Sequence, residues 1–283
     1  MLSDNAEQIA EWNGVLGQRW VALRQEVDRI VIPFGAAALK AAAPQPGEHV
    51  IDIGCGCGDT AIEIARLVGS AGSVLGLDVS KPMLEVARSR GMSAKCPQLS
   101  FREADASVTE LPADIDLLFS RFGVMFFSRP SAAFGHLRTS LRPGGRCVFV
   151  CWRAPRDNAW AMTPLAAARQ ALDITPPPAD PEAPGPFAFA DEARLRTILS
   201  DSGFGDIELQ RFDAAIFLGP TPRSAAEGAV QMGPVARLVR ETGAEHLPVI
   251  VDAIEEVLTP LAAPNGHVSL NGSTWVVLAT NPT

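Results

Sequence analysis

Apolar positions repeat with a helical spacing at the start of this chain. Ala6–Trp12 is a short helical stretch and Gln18–Ile32 a longer one; Pro33 then breaks or restarts the helix, and Phe34–Ala43 continues it. Pro44, Pro46 and Gly47 mark a turn. Short apolar runs then alternate with helical ones. Strands are predicted at His49–Ile53, Ser73–Leu77, Leu99–Glu103, Ile115–Phe119 and Arg146–Trp152. Helices are predicted at Asp59–Val68, from Ser80 as cap to Arg90 with Pro82 in the first turn, and at Ser131–Leu141. The last of these stops at a turn formed by Arg142, Pro143, Gly144 and Gly145. Strands alternating with helices imply a parallel sheet with helices on both faces.

The rhythm changes after Trp152. Ala159–Leu172 reads as a helix, and Thr175–Pro186 as an extended, stiff loop rich in proline. Asp191 caps a helix to Ser202, and Ile207–Leu218 reads as a strand. Ala225–Leu261 is mostly helical, interrupted at Gly233-Pro234 and from His246 to Pro248, and Ser273–Thr280 is a last strand.

Chemistry concentrates at the ends of the first three strands. Gly54, Gly56 and Gly58 follow the first strand and open a helix, so the backbone turns sharply there and a ligand meets no Cβ. A dinucleotide loop usually spaces its third glycine one residue further on. Asp52, two residues before Gly54, would repel a pyrophosphate and suits a ligand carrying an ammonium. Asp78 closes the second strand, 20 residues after Gly58, where a carboxylate accepts hydrogen bonds from ribose hydroxyls. It is also placed to cap the next helix. Beyond the third strand, Asp105 can accept from an adenine amino group, with the Ala106 N–H beside the ring.

This ordered set resembles the class I S-adenosylmethionine-dependent methyltransferases. Asp52–Gly58 looks like their first motif, Asp78 their second, Asp105-Ala106 their third, and Leu141–Gly145 a later one. The resemblance covers about Gly47 to Trp152, and within the family it is closest to the branch like ubiquinone/menaquinone biosynthesis enzymes, which methylates small molecules. It implies an α/β fold: a three-layer Rossmann-like sandwich whose seven-stranded, mostly parallel sheet has an antiparallel closing strand, with a helical lid. Ile207–Leu218 and Ser273–Thr280 would form the closing antiparallel pair. It implies S-adenosylmethionine as cofactor, with contacts from Trp20, Asp52, Gly54, Cys55, Gly56, Gly58, Thr60, Asp78, Val79, Met83, Asp105, Ala106, Ser120 and Arg121. The expected organisation is a helical cap (1–46), a cofactor-binding core (47–155), an insertion or lid loop (156–190), a core helix and strand (191–220), a helical lid insertion (221–265) and a closing strand (266–283).

The chain has 283 residues, enough for a full core, and a net charge of −8. That balance disfavours nucleic acid, whose binders need a basic footprint. No stretch reaches the ~18 apolar residues of a spanning helix, and the start of the chain is polar, so neither membrane insertion nor export is expected. Cys55, Cys57, Cys96, Cys147 and Cys151 are too few and odd in number for a disulfide framework. Cys55 and Cys57 lack zinc-site spacing, so no metal is expected. A monomer or homodimer in the cytoplasm, acting on a small-molecule acceptor, fits these observations.

The acceptor is expected at the carboxyl ends of the strands, beside the cofactor. Arg121 can orient an anionic or carbonyl acceptor, with Phe122 and Met125 as apolar walls; the competing reading pairs Arg121 with a surface acid and leaves Phe126 and Phe127 in the core. Trp152, Arg153, Asn158 and Trp160 form a second candidate set. Residues 159–186 and 225–261 are expected to form a lid over this site. Trp12 and Trp20 either close over the cofactor or anchor packing. Methyl transfer from a sulfonium works mainly by positioning and exclusion of water, so no single base is expected. His246 and His267, with Arg121, are the candidates if one exists, whereas His49 reads as structural and His136 as a solvated or satisfied histidine. Two other readings are an NAD-dependent oxidoreductase and a catalytically silent S-adenosylmethionine-binding protein.

Overall fold

The computed structural model describes residues 5–175, 180 and 183–282. Prolines 176, 177, 178 and 181, read above as an extended loop, lie outside the described residues. Seven strands form one sheet: β1 (His49–Ile53), β2 (Ser73–Asp78), β3 (Leu99–Glu103), β4 (Ile115–Arg121), β5 (Leu141–Trp152), β6 (Gly205–Gly219) and β7 (Val268–Thr280). Their order is β3-β2-β1-β4-β5-β7-β6. The first five are parallel. β7 runs against both neighbours. Asn281 N–H donates to Gly145 O while Arg153 N–H donates to Ser273 O, so numbers fall along β7 as they rise along β5. The Thr274–Phe212 and Thr280–Asp206 bonds show the same opposition to β6. The last strand of the chain therefore lies inside the sheet, and β6 forms the edge.

There are eleven α-helices among the described residues. Those before the first strand are α1 (Ala6–Asn13), α2 (Val15–Ala22) and α3 (Arg24–Ala42); within the alternation come α4 (Asp59–Val68), α5 (Lys81–Ala94) and α6 (Pro130–Arg138). The rest are α7 (Ala159–Ala171), α8 (Glu192–Asp201), α9 (Pro222–Ala229), α10 (Gly233–Thr242) and α11 (Leu247–Leu258).

Two expectations are corrected here. The predicted break at Pro33 is absent, because α3 continues through it. A proline inside a helix costs about 3 kcal/mol. Here Val27, Val31, Phe34, Ala38, Leu39 and Ala42 bury one face of α3, and that packing outweighs it. The helix is interrupted instead at Leu23, between α2 and α3. The Arg142–Gly145 segment is also not a turn ahead of β5. It belongs to the strand as a bulge, with the β4 register shifting between Ile115 and Leu117. Asn281 fastens it, donating to Leu141 O and Arg142 O, while Gly144 N–H donates to Asn281 O. Asp191 caps α8 as expected, its side chain accepting from Arg194 N–H.

The chain divides into two compact units. The first comprises Met1–Cys151, Glu182–Phe212 and Thr274–Thr283. Its core holds Ile51, Leu77, Leu117, Leu118 and Phe119 from the sheet, with Phe134 packed against Phe149 and Phe189 at 5.4 and 5.9 Å between ring centres. The second comprises Trp152–Pro181 and Asp213–Ser273. Helices α7, α9, α10 and α11 build its separate core from Leu165, Ala226, Leu238, Ile250, Ile254 and Leu258.

Ile254 is fully buried in that second core. Ile254→Ala should lower the stability of the protein by about 2–5 kcal/mol, through lost burial and the cavity left behind. Urea unfolding measures it; a loss below ~1 kcal/mol would mean that the site collapses around the smaller side chain.

Candidate active site

The site begins where β1 ends. Gly54, Gly56 and Gly58 all adopt positive φ, from +54° to +84°, which other residues rarely do. Gly54 has a second reason to be glycine. A Cβ there would lie 2.7 Å from Gly123 Cα, so the loops after β1 and β4 meet backbone to backbone. Ser120, itself buried, reinforces this junction: its hydroxyl donates to Ile53 O at 2.7 Å and accepts from Gly123 N–H at 3.1 Å. The next residue but one, Phe122, sits at φ +63°, a strained geometry for a bulky side chain.

Asp78 ties the glycine loop to the tip of β2. One carboxylate oxygen accepts from Gly56 N–H at 2.7 Å and the other from Ser80 N–H at 2.8 Å. Burial raises its pKa, and the N–H groups of Ser80, Gly56 and Val79 oppose the rise. Ser80 occupies the cap position of α5, but its hydroxyl does not cap the helix as expected. It donates to Trp12 O at 2.8 Å, and Asn13 Oδ1 takes the Lys81 N–H instead.

Asp52 is fully buried at the base of the loop. Thr60 donates its hydroxyl to Oδ2 at 2.6 Å, while Oδ1 has no hydrogen-bond partner. Burial pushes the carboxyl up to about 7, against the Thr60 bond and the positive charge of Arg121, and Asp78 and Asp59 push it further up. Beside it lies an ion cluster drawn from four elements. Arg90 grips the Asp59 carboxylate with two N–H groups and also donates to Cys57 O. Arg121 stands 3.9 Å from both Asp28 and Asp59, and Arg24 3.5 Å from Asp28. Burial and then the adjacent Asp59 raise the pKa of Asp28. Burial works against ionisation of Asp59 too, but Arg90 and Arg121 hold its pKa below the ordinary value.

The N-terminal segment closes on the same loops. Asn5, buried ahead of α1, donates to both Asp105 oxygens at 3.1 and 3.2 Å and accepts from Ser128 N–H at 2.8 Å. Asn13 donates to Val79 O at 2.7 Å. Trp12 makes edge contacts with Trp20 at 5.3 Å and with Phe126 at 5.5 Å.

Of the residues expected from sequence, those from Trp20 to Met125 all fall in the first unit. Gly54, Gly56, Gly58, Val79, Asp105 and Ala106 lie on the loops after β1, β2 and β3, and Asp78 is the last residue of β2. Cys55 is buried with its thiol pKa driven up, so it is an inert packing group. Met83 is buried, its methyl 2.9 Å from where a Gly56 Cβ would stand. Thr60 and Ser120 bond the protein's own Asp52 and backbone, as above. Phe122 packs edge-on to Phe34, and Met125 is buried. Trp152, Arg153, Asn158 and Trp160 belong to the second unit. Trp152 and Trp160 pack at 5.0 Å, and Arg153 pairs with Asp157 and Asp213 at 3.1 and 3.2 Å. Asn158, expected to meet the acceptor, is fully buried instead. Its amide donates to Arg153 O, Ala154 O and Ser273 O and accepts from Ser273 N–H and Trp160 Nε1, which leaves nothing to offer a substrate. His246 and His267 are also in the second unit; the His267 ring packs on Phe217. In the first unit, His136 Nε2 bonds Thr109 O. Asn5, Asn13, Asp28, Asp59 and Arg90 were not anticipated from sequence. No three His, Cys, Asp or Glu residues converge on a metal position among the described residues.

Comparison with known proteins places this geometry. Residues 50–145 match the family described as a methyltransferase domain. That stretch is similar to methyltransferase domains. It includes every glycine of the loop, Asp52, Asp78, Asp105 and Arg121. The 2-phytyl-1,4-naphtoquinone methyltransferase of Trichormus variabilis is 31% identical over 124 residues, 43% of this chain and 54% of that protein. The aklanonic acid methyltransferase DauC of a Streptomyces species is 33% identical over 119 residues, 42% and 54%. The ubiquinone/menaquinone biosynthesis C-methyltransferase UbiE of Cellvibrio japonicus is 30% identical over 122 residues, 42% and 49%. The chain thus spans about half the length of the curated relatives it matches. Among solved structures, the YcgJ protein of Bacillus subtilis aligns over 88% of this chain and 98% of its own, with a TM-score of 0.59 and 18% identity. The phosphoethanolamine N-methyltransferase 2 of Haemonchus contortus, solved with S-adenosyl-L-methionine, aligns over 89% and 53%, with a TM-score of 0.54 and 19% identity. These two share the Rossmann-like fold.

The Asp52 carboxyl gives a pH-dependent prediction. Its ordinary value is 3.8 and its folded value about 7, so the folded chain binds that proton more tightly than the unfolded one. Its contribution to stability is complete at low pH and is lost as pH rises through that window. The stability of Asp52→Asn relative to the native chain should therefore climb between pH 5 and about 7 and level off above. Chemical denaturation across that range tests it; a constant difference between the two proteins would overturn the assignment.

Proposed function

We propose that this chain is an S-adenosylmethionine-dependent methyltransferase acting on a small organic acceptor. The observation that carries the reading is the Asp78 carboxylate, held at the tip of β2 by the N–H groups of Gly56 and Ser80. A carboxylate with two oxygens already aimed by the backbone keeps lone pairs for a ribose diol. The residues present also fit the rest of the cofactor. Asp52 Oδ1 is a buried acceptor without a partner, which suits an ammonium group. Asp105 stands past β3 for an adenine amine. The names of the matched relatives favour methyl transfer over hydride transfer to or from NAD.

S-Adenosylmethionine supplies an activated methyl group on a sulfonium. The protein's own contribution is then to bind, orient and exclude water. Trp12 and Trp20 shield the loops after β2 and β4. Arg121 is proposed to steer a polar acceptor, its guanidinium held between Asp28 and Asp59, with Phe122 as an apolar wall. The five free cysteines fit a reducing compartment such as the cytoplasm. A monomer or homodimer is proposed, which analytical ultracentrifugation tests. Among the described residues, no helix is long and apolar enough to cross a membrane.

Calorimetry with S-adenosylhomocysteine and with NAD tests the cofactor, and release of S-adenosylhomocysteine across an acceptor library tests the reaction. Binding of NAD alone would reject the proposal. Asp78→Ala should weaken S-adenosylhomocysteine by about 2–3 kcal/mol, the worth of two bonds to an ionised group. Because Asp78 also holds the glycine loop, the same variant is to be measured against the 2′,3′-dideoxyribose analogue, where the loss should shrink below ~1 kcal/mol. An equal loss with both ligands would show that Asp78 shapes the loop without touching the ribose.

A further inference from the structure

One buried side chain near the start of the chain reaches the group expected to read the base. Asn5 uses its amide in both senses. Nδ2 donates to Asp105 Oδ1 and Oδ2 and to Ser107 Oγ at 3.2 Å, and Oδ1 accepts from Ser128 N–H. It therefore links the loop after β3 to the loop after β4. Ser107 completes the setting, donating its N–H at 2.9 Å and its hydroxyl at 2.7 Å to Asp105 Oδ1. The helix that follows Asn5 is pinned at its other end by Asn13 and by the Trp12–Phe126 contact. Gln8 and Trp12 fall four residues apart on one face of that helix, three residues on from Asn5 at its start. Gln8 buries Oε1 there without a hydrogen-bond partner.

We propose that Asn5 is a positioning residue for base recognition: it fixes the rotamer and ionisation of Asp105, so that a purine is selected by its exocyclic amine. The proposal rests on the reading of Asp105 given above. A carboxylate reads an amine only while it stays ionised and correctly turned. Two N–H contacts from a neutral amide favour both, because they stabilise the anion and restrict its rotation. A carboxylate left to rotate or to take up a proton can present a hydroxyl to an oxo group and lose its preference. Asn5 sits at 6% exposure, so water competes little for these bonds.

The test is a ratio of affinities. S-Inosylhomocysteine differs from S-adenosylhomocysteine in carrying an oxo group where adenine has its amine. The native chain should prefer the adenosyl ligand by roughly 10- to 100-fold. Asn5→Ala should lower that ratio by about threefold or more, mainly by weakening the adenosyl ligand. Asn5→Asp keeps the size and the acceptor for Ser128 N–H but sets a second carboxylate against Asp105, and should lower the ratio at least as far. A purely structural loss would weaken both ligands alike and leave the ratio intact. If the native chain discriminates and both variants keep its ratio, the role of Asn5 is overturned while that of Asp105 stands. If the native chain does not discriminate, the reading of Asp105 fails and the proposal with it.

Discussion

Two backbone N–H groups, of Gly56 and Ser80, lie at a bend where no helix or strand supplies their acceptor, and the Asp78 carboxylate takes both. Much of the site follows from that arrangement. It holds the glycine loop against the end of β2, and the N–H groups of Gly54 and Cys55 add bonds to Leu77 O on the same strand. Ala104 N–H donates to Asp78 O, which carries the linkage on to the loop after β3. Three strand ends are thus coupled through one residue. A ligand that bridges them meets a surface whose geometry is set before it arrives, which lowers the ordering cost of binding.

The charges around this frame are arranged unequally. Asp52 has a single hydroxyl bonded to it, and burial pushes its pKa up to about 7. Asp59, a few residues on, is gripped by Arg90 and stays ionised. The contrast follows from local dielectric and partners, since Asp52 lies buried in β1 while Asp59 opens α4 within reach of two guanidinium groups. A cation beside Asp52 would favour its ionised form. Arg121 lies between the two regimes, near enough to oppose the rise at Asp52 and also that at Asp28.

The parts of this fold legible in the sequence are those with a local cause. Glycines needing positive φ, acids at strand ends and alternating apolar runs can be read within ten residues of where they act. The elements that escaped have distant causes. Pro33 stays helical because its neighbours on α3 bury one face in the core. Leu141–Gly145 reads as a turn because its bulge is fastened by Asn281, from the other end of the chain. β7 begins at Val268, five residues before the expected strand, because Asn271 and Gly272 resemble a turn and yet lie within the strand. Asn158 looked like a polar head in an aromatic loop; only its bonds to Ser273 show it to be a buried bolt. Asn5 gave no local sign of its partner, 100 residues away.

That split between near and far causes also explains where similarity to other proteins is informative. The matched stretch, residues 50–145, contains the loop glycines and the acids that would meet a nucleoside. Those groups are close in sequence because they hang on consecutive strands, so one set of spacings preserves the whole arrangement. Asn5, Asp28 and the loop from Trp152 to Trp160 lie outside it. The second set is supplied by the N-terminal segment and by the end of β5 with the loop beyond it. Similarity to other proteins therefore bears on the strand-end loops of the matched stretch, whereas the roles of the residues beyond it must be found by experiment.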